Sequence, residues 1–221
     1  MAVTLIPQQG EITAQIDFTE PSFVLFSNML ALGGSLFKHL SPHGVRLADL
    51  KFQGGDPSYA DAQITCSIFS LLAEVHVRPD RVDIRTFDTS KRSEMFEALR
   101  SAATAVAEHA TDIGFRSFGS TTALHGKLQG NSTSGYISEF VKDAPERAGA
   151  VLSAGVAYYF APDAARLMSS ITLEPSNAVQ DGLYLRLVAV WDSQQQRLEE
   201  LQVADHAYLE HALTVFGVDL P

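Results

Sequence analysis

Residues 85–89 read Arg-Thr-Phe-Asp-Thr, and residues 189–193 read Ala-Val-Trp-Asp-Ser. Each segment ends a run typical of a β-strand and precedes a run typical of a helix. The helical runs close on the similar sequences Ala-Glu-His-Ala (107–110) and Leu-Glu-His-Ala (209–212). Matches about a hundred residues apart indicate an internal repeat, which constrains the architecture more than any single residue does.

The composition of the chain is typical of a globular protein, with 221 residues of which 46% are apolar and 19% charged. The formal net charge of −10 disfavours binding to nucleic acid or to anionic lipid, because both need a cationic surface. The first residues lack the basic segment of a signal peptide, and one cysteine, Cys66, allows no internal disulfide. We therefore expect a cytoplasmic protein without a membrane-spanning segment.

Residues 74–85 predict a β-hairpin with a defined register. Two strand-like tetrapeptides flank Arg-Pro-Asp-Arg (78–81), whose proline favours a type I turn. This register gives one apolar face of valine and isoleucine and one face of oppositely charged pairs. The predicted pairs on the charged face are His76 with Asp83 and Glu74 with Arg85.

The remaining elements follow from hydrophobic periodicity and from turn residues. In the first half we predict strands at 11–18, 45–52 and 62–69, the last two joined by a turn at 54–57, and a long helix from Asp88 to Ala110. We also predict a helix that begins at Thr19 to Pro21 and weakens at Gly33-Gly34; it is apolar nearly all round, so we expect it to be deeply buried. In the second half we predict a strand within 115–128, a short helix at 135–142, a hairpin of 151–160 with 167–173, a strand at 183–191, and a final helix from Ser193.

These elements predict an α+β fold built by duplication. Residues 1–112 and 113–221 each give the order strand, helix, three or four antiparallel strands, long helix. An antiparallel sheet with helices on one face buries both apolar surfaces in two layers. The two repeats could share one continuous sheet or pack face to face. This element order resembles the duplicated helix-grip folds, which include the TATA-binding-protein fold and related small-molecule-binding domains.

The charged face of the predicted hairpin offers the best catalytic candidates, His76, Asp83, Glu74 and Arg85. Asp83 could orient the imidazole of His76 as a general base. The alternative is a set of cross-strand ion pairs on a solvated face, each worth a few tenths of a kcal/mol. We favour the ion pairs, because no serine or cysteine nucleophile is tied to this pair in the sequence.

A polar, glycine-rich segment at 126–135 is the preferred place for a ligand or partner to bind. It is not a phosphate-binding P-loop, because Leu128 follows Gly-Lys where that motif needs serine or threonine. Tyr184 and Arg186, on the strand before the final helix, could line a shared pocket with His76 and Arg85 if the sheet curves. The alternative, which we favour, is that Tyr184 and Arg186 lie on an ordinary outer face. The predicted binding residues are Asn131, Ser132, Thr133, Ser134, Tyr184 and Arg186.

The sequence predicts neither a metal site nor a cofactor. His206 and Glu210 lie one helical turn apart, but His211 points about 140° away from His206, which leaves two ligands and no third. We expect a non-enzymatic protein-binding module that first associates with itself. The alternatives are a small-molecule-binding domain with a pocket between sheet and helices, and an enzyme that uses His76 and Asp83.

Overall fold

The computed structural model describes residues 3–54, 61–110, 113–141, 154–163, 165–194 and 196–221. They form an α+β fold with a large antiparallel sheet and four α-helices, which confirms the predicted fold class at that level. No helix among these residues has both the length and the apolar character needed to cross a bilayer.

Strands and helices alternate along the chain in groups. The strands are β1 (Val3–Phe18), β2 (Leu50–Gln53), β3 (Gln63–Ile68), β4 (Ala73–Val77), β5 (Arg81–Thr86), β6 (Phe115–Gln129), β7 (Val156–Phe160), β8 (Arg166–Pro175), β9 (Leu183–Asp192) and β10 (Val218–Asp219). The α-helices are α1 (Met29–Leu40), α2 (Arg92–His109), α3 (Thr133–Ser138) and α4 (Leu198–Val215).

The chain divides into two units. The first unit comprises Met1–Glu11, Thr121–Ala189 and Val203–Pro221, and the second comprises Ile12–Ser120 and Val190–Gln202. Strands β1, β6 and β9 and helix α4 contribute residues to both units.

In the second unit the hydrogen-bonded strand order is β2-β3-β4-β5-β1-β6-β9. Helices α1 and α2 pack against each other, and α2 packs on β4 and β5. Alternate residues of the strands point into the core beneath these helices, and the thiol of Cys66 is fully buried there. Burial raises the pKa of Cys66 to about 12, so the thiol is protonated and unreactive at neutral pH.

In the first unit the strand order is β10-β1-β6-β9-β8-β7, with β10 parallel to β1. Its core brings together leucine and isoleucine side chains of these strands with residues of α3 and α4. The Tyr136 hydroxyl donates a 2.7 Å hydrogen bond to the backbone carbonyl of Phe216, which joins α3 to the end of α4. Burial, with a smaller contribution from Glu139, raises the pKa of Tyr136 to about 12.

The prediction for the first helix is wrong at its start. Residues 24–26 form a single 3₁₀ turn, and α1 begins only at Met29, where the side chain of Asn28 accepts a hydrogen bond from the backbone N–H of Ala31. An asparagine cap therefore determines the start of the helix, whereas the Thr19 and Pro21 signal does not. The helix is also less buried than predicted, since Leu30 is 81% exposed.

The predicted weak point at Gly33-Gly34 lies inside a continuous helix. A Cβ atom at Gly33 would lie 2.5 Å from Cζ of Phe52, so this glycine lets α1 approach the ring of a β2 residue. Close packing explains the glycine better than a bend does. The predicted turn at 54–57 lies largely outside the described residues, and β2 is shorter than the predicted strand because residues 47–49 form a 3₁₀ turn.

The two segments that suggest a repeat share a local turn but differ in strand phase. Asp88 Oδ1 accepts the backbone N–H of Ser90 at 3.2 Å, and Asp192 Oδ1 accepts that of Gln194 at 2.9 Å. The preceding aromatics differ, because Phe87 is 59% exposed whereas Trp191 is 7% exposed. Phe87 follows the end of β5, but the strands themselves differ in the same way, because Arg85 is exposed whereas the aligned Ala189 is buried. Successive strand residues point to opposite faces, so the two segments are one residue out of phase.

Candidate functional site

The charged face of the β4–β5 hairpin has the predicted register. The Cα pairing places His76 opposite Asp83 and Glu74 opposite Arg85, and on the other face Val75 and Val77 pair with Ile84 and Val82. All four apolar side chains are fully buried. The turn and the charge pairing together therefore predict this hairpin correctly.

Asp83 is the centre of a hydrogen-bond network on this face. Its Oδ2 lies 2.9 Å from Nδ1 of His76, and its Oδ1 accepts a 2.8 Å hydrogen bond from the Arg78 guanidinium. Arg78 also donates to the side-chain oxygen of Gln63, whose amide nitrogen donates to the hydroxyl of Thr65. The network spans β3, β4 and β5 and holds Arg78, which follows β4, against the sheet.

The other two predicted catalytic candidates lie at the margin of this network. Glu74 Oε2 is 3.8 Å from Nε2 of His76, and the Glu74 side chain is 56% exposed. The Arg85 guanidinium lies over the ring of Phe87, 4.7 Å from its centroid. The face can therefore orient an imidazole, but its central carboxylate is shared between His76 and Arg78.

A groove in the first unit contains most of the predicted binding residues. It has a volume of about 750 Å³ and lies between the end of β6, helix α3 and the loop from Pro175 to Gly182. Asn131, Ser132, Thr133 and Ser134 all line it. Its remaining lining is mixed, with Lys127 and Asp181 as charged residues and Leu128, Ile137, Val141, Ala154 and Pro175 as apolar ones.

Intramolecular hydrogen bonds engage most of the predicted polar groups in this groove. Ser132 caps α3 by accepting the backbone N–H of Gly135, and the Asn131 side chain accepts the N–H of Ser132. The Thr133 hydroxyl donates to the carbonyl of Asp181, which joins α3 to the neighbouring loop. The Thr133 hydroxyl hydrogen is therefore engaged within the chain, whereas capping uses the oxygen of Ser132 and not its hydrogen.

Tyr184 lies outside the groove lining and reaches it through His125. The Tyr184 ring stacks on His125 at 4.6 Å, and Nδ1 of His125 lies 2.9 Å from Oγ of Ser176, which lines the groove. Ser176 Oγ already accepts the backbone N–H groups of Ala178 and Val179, so its own hydrogen is donated to His125. A neutral His125 therefore carries its hydrogen on Nε2.

Arg186 is exposed on β9 and does not belong to the groove lining of the described residues. Lys127 belongs to the predicted segment 126–135, although it was not among the predicted binding residues. Sequence reasoning missed Ser176 and Asp181, because they reach the groove from a separate loop. The only signal for them was the turn-forming composition of residues 176–182.

On the final helix, Nε2 of His206 lies 3.5 Å from Oε1 of Glu210, with both side chains well exposed. No group of three or more histidine, cysteine, aspartate or glutamate side chains suited to a metal ion occurs among the described residues.

An exposed apolar strand is the feature that sequence reasoning missed most completely. Strand β7 ends the sheet order, and among the described residues it is hydrogen-bonded to β8 alone. Tyr159 is 80% exposed, and Tyr158 and Phe160 are each more than a third exposed. Residues 154–162 contain no Asp, Glu, Lys, Arg or His. This lack of charged residues is the one feature of the sequence that indicates the exposed strand.

No protein-family model matches the chain, and no curated protein sequence matches it either.

Proposed function

We propose that this chain is a non-enzymatic protein-binding and assembly module of the cytoplasm, and that it binds a protein partner through the outer edge of β7. The observation that carries this proposal is the exposed, uncharged edge strand itself. The cytoplasmic location is supported by the fully buried, unreactive thiol of Cys66, which needs no oxidising compartment.

Edge strands that do not bind partners normally carry protective features. Charged side chains, especially lysine, and very short length are common ones, because an exposed edge offers unpaired N–H and C=O groups to any passing strand. The terminal strand β2 has four residues and carries Lys51. Strand β7 has five residues and none of the charges, so it lacks that protection.

Strand addition at β7 would combine two sources of affinity. Backbone hydrogen bonds along the edge bind any extended segment, and the side chains on alternate positions select among segments. Tyrosine contributes large contact area at low conformational cost, because its side chain has only two rotatable angles. Tyr158 is already held in place by its contact with the ring of Phe216 at 5.4 Å.

A labelled peptide with the sequence of residues 155–161, extended by lysines for solubility, tests this proposal directly. We expect the peptide to bind the wild-type chain in fluorescence anisotropy, and Tyr159→Lys to weaken the binding. Leu30→Lys is the matched control, because Leu30 is exposed to the same degree on α1. Absence of peptide binding, or equal binding by both variants, would remove β7 as the binding edge.

The groove beside α3 supports a second candidate function, the binding of a small molecule. Its volume of about 750 Å³ is in the range of natural ligand sites, and it combines an apolar wall with a few polar groups. Native mass spectrometry of the purified chain should then show a bound molecule that is lost in Ser134→Trp, since Ser134 lines the groove. A wild-type mass equal to that of the chain alone would count against this candidate.

An enzyme based on His76 and Asp83 has the weakest support. Asp83 binds Arg78 as closely as it binds His76, so the carboxylate stabilises the hairpin as much as it orients an imidazole.

We also propose that the chain is a duplicated helix-grip-like unit with repeats near 1–112 and 113–221. Support comes from the first strand of each half, since β1 is hydrogen-bonded to β5 and β6 to β9, in each case the strand before a long helix. The similar turns at Asp88 and Asp192 add support for the duplication. The difference in exposure between Phe87 and Trp191 counts against an alignment of the halves that pairs these two residues. Superposition of the two halves tests the proposal through the order and direction of their strands.

A further inference from the structure

We infer that the protein that pairs with β7 is a second copy of this chain, bound antiparallel through its own β7. The inference rests on the proposed function of β7 as a binding edge. It adds the identity of the partner, the orientation of the two strands and the sign of the salt dependence.

Symmetry makes a second copy a natural occupant of this edge. Two identical strands that pair antiparallel are related by a twofold axis, so each copy presents and receives the same surface. The assembly is complete with two copies, because the outer β7 edge of each copy is then paired. The identical segment is present at the same concentration as the site, which no other partner guarantees.

The side chains of β7 are complementary to themselves in this orientation. With the axis at Tyr158, Val156 lies opposite Phe160 and Ala157 lies opposite Tyr159. Each off-axis pair therefore sets a smaller side chain against an aromatic one, which suits cross-strand contact on both faces. Val156 and Tyr158 contact the apolar core of the first unit, so the paired strand would extend that core.

The charge of the chain lets salt distinguish a second copy from a basic partner. Two copies of a chain with a net charge of −10 repel each other at long range, but residues 154–162 place no formal charge at the contact. Repulsion between distant surface charges is screened within about 8 Å at physiological ionic strength. Self-association through β7 should therefore strengthen as salt is added, whereas binding of a basic partner would weaken.

The size of the contact sets the expected strength. A single pair of five-residue strands falls below the roughly 1,600 Å² of a standard protein interface. The dimer should accordingly be weak and should dissociate on dilution.

Sedimentation velocity over a range of protein and salt concentrations tests the inference. We expect a monomer–dimer equilibrium that shifts towards dimer with protein concentration and with salt. Tyr159→Lys should weaken dimerisation by roughly tenfold or more, because it places two lysines at the contact. Leu30→Lys should dimerise as the wild type does, and circular dichroism should confirm that both variants are folded.

A second variant fixes the register. Opposed residues of antiparallel strands have Cα atoms about 4.5–5.5 Å apart, within the range that a disulfide spans. Mild oxidation of Tyr158→Cys with diamide should therefore give a covalent dimer, whereas Leu30→Cys should stay monomeric on a denaturing gel. The native Cys66 is buried and does not compete.

The outcomes separate the inference from the proposed function. A strict monomer that still binds the β7 peptide overturns the second-copy inference and leaves β7 as a binding edge. A dimer that is unchanged by Tyr159→Lys or weakened by salt also overturns the inference. A monomer that fails to bind the peptide removes both.

Discussion

The hairpins β4–β5 and β7–β8 are built alike but differ in what surrounds them. Strands β4 and β5 have hydrogen-bonded neighbours on both sides, whereas β7 has β8 alone among the described residues. The first hairpin has a fully buried apolar face and a face of ion pairs, and the second carries exposed aromatic side chains on an uncharged strand. The position of a hairpin in its sheet therefore decides whether its apolar residues stabilise the fold or remain available for binding.

The largest effect should come from truncating a buried residue of the first hairpin. Ile84 is fully buried, so Ile84→Ala should lower the free energy of unfolding by roughly 2–5 kcal/mol. The corresponding truncation at the exposed edge, Tyr159→Ala, should change it by less than about 0.5 kcal/mol. Urea unfolding at low protein concentration measures both. Equal losses at the two positions would contradict the contrast between the hairpins.

A change at Tyr136, near the second hairpin, should have an intermediate effect on the free energy of unfolding. Tyr136→Phe removes the hydrogen bond to the carbonyl of Phe216, the residue on which Tyr158 rests. The loss should be roughly 1–3 kcal/mol at neutral pH, because the buried carbonyl is left without this donor. Chemical denaturation of the variant beside the wild type measures it.

The same variant has a pH signature. The folded pKa of Tyr136 is raised to about 12, above the ordinary value of about 10, so the unfolded chain loses this proton first as pH rises. The stability advantage of the wild type over Tyr136→Phe should be complete below pH ~10 and should shrink as pH rises towards ~12. An advantage that stays constant over this range would show that the hydroxyl is not buried.

A smaller effect should follow from changes on the charged face of the first hairpin. Asp83→Asn weakens its bonds to Arg78 and His76, and we expect a loss of roughly 1 kcal/mol for this half-buried network. Glu74→Gln should cost less than about 0.3 kcal/mol, because Glu74 is mostly exposed. Thermal unfolding of both variants compares them. A larger loss of stability for Glu74→Gln than for Asp83→Asn would show that Asp83 is not the centre of the network.

Local chemistry explains why the first hairpin could be predicted from sequence. Pro79 favours the turn, and the turn opposes His76 with Asp83 and Glu74 with Arg85, so the register follows from residues close together in the chain. The edge position of β7 could not be predicted, because it depends on which strands pair across the whole chain.

Other predictions failed for both local and tertiary reasons. The start of α1 is set by a local cap at Asn28 rather than by the Thr19 and Pro21 pattern, whereas the role of Gly33 follows from the close approach of Phe52, nineteen positions later. In the groove, Asn131 to Ser134 lie in the predicted segment 126–135, whereas Ser176 and Asp181 reach it only through the fold. Sequence also could not show that Ser132 and Thr133 are engaged in capping and loop contacts.

Hydrogen exchange at low and at high protein concentration tests the central claim, that a second copy covers the edge of β7 to which no strand of the described residues pairs. We predict that the outward amides of β7 exchange rapidly at low concentration and become protected at high concentration, while those of β4 and β5 stay protected throughout. Protection of β7 that is complete at low concentration, or exchange that never responds to concentration, would contradict the account.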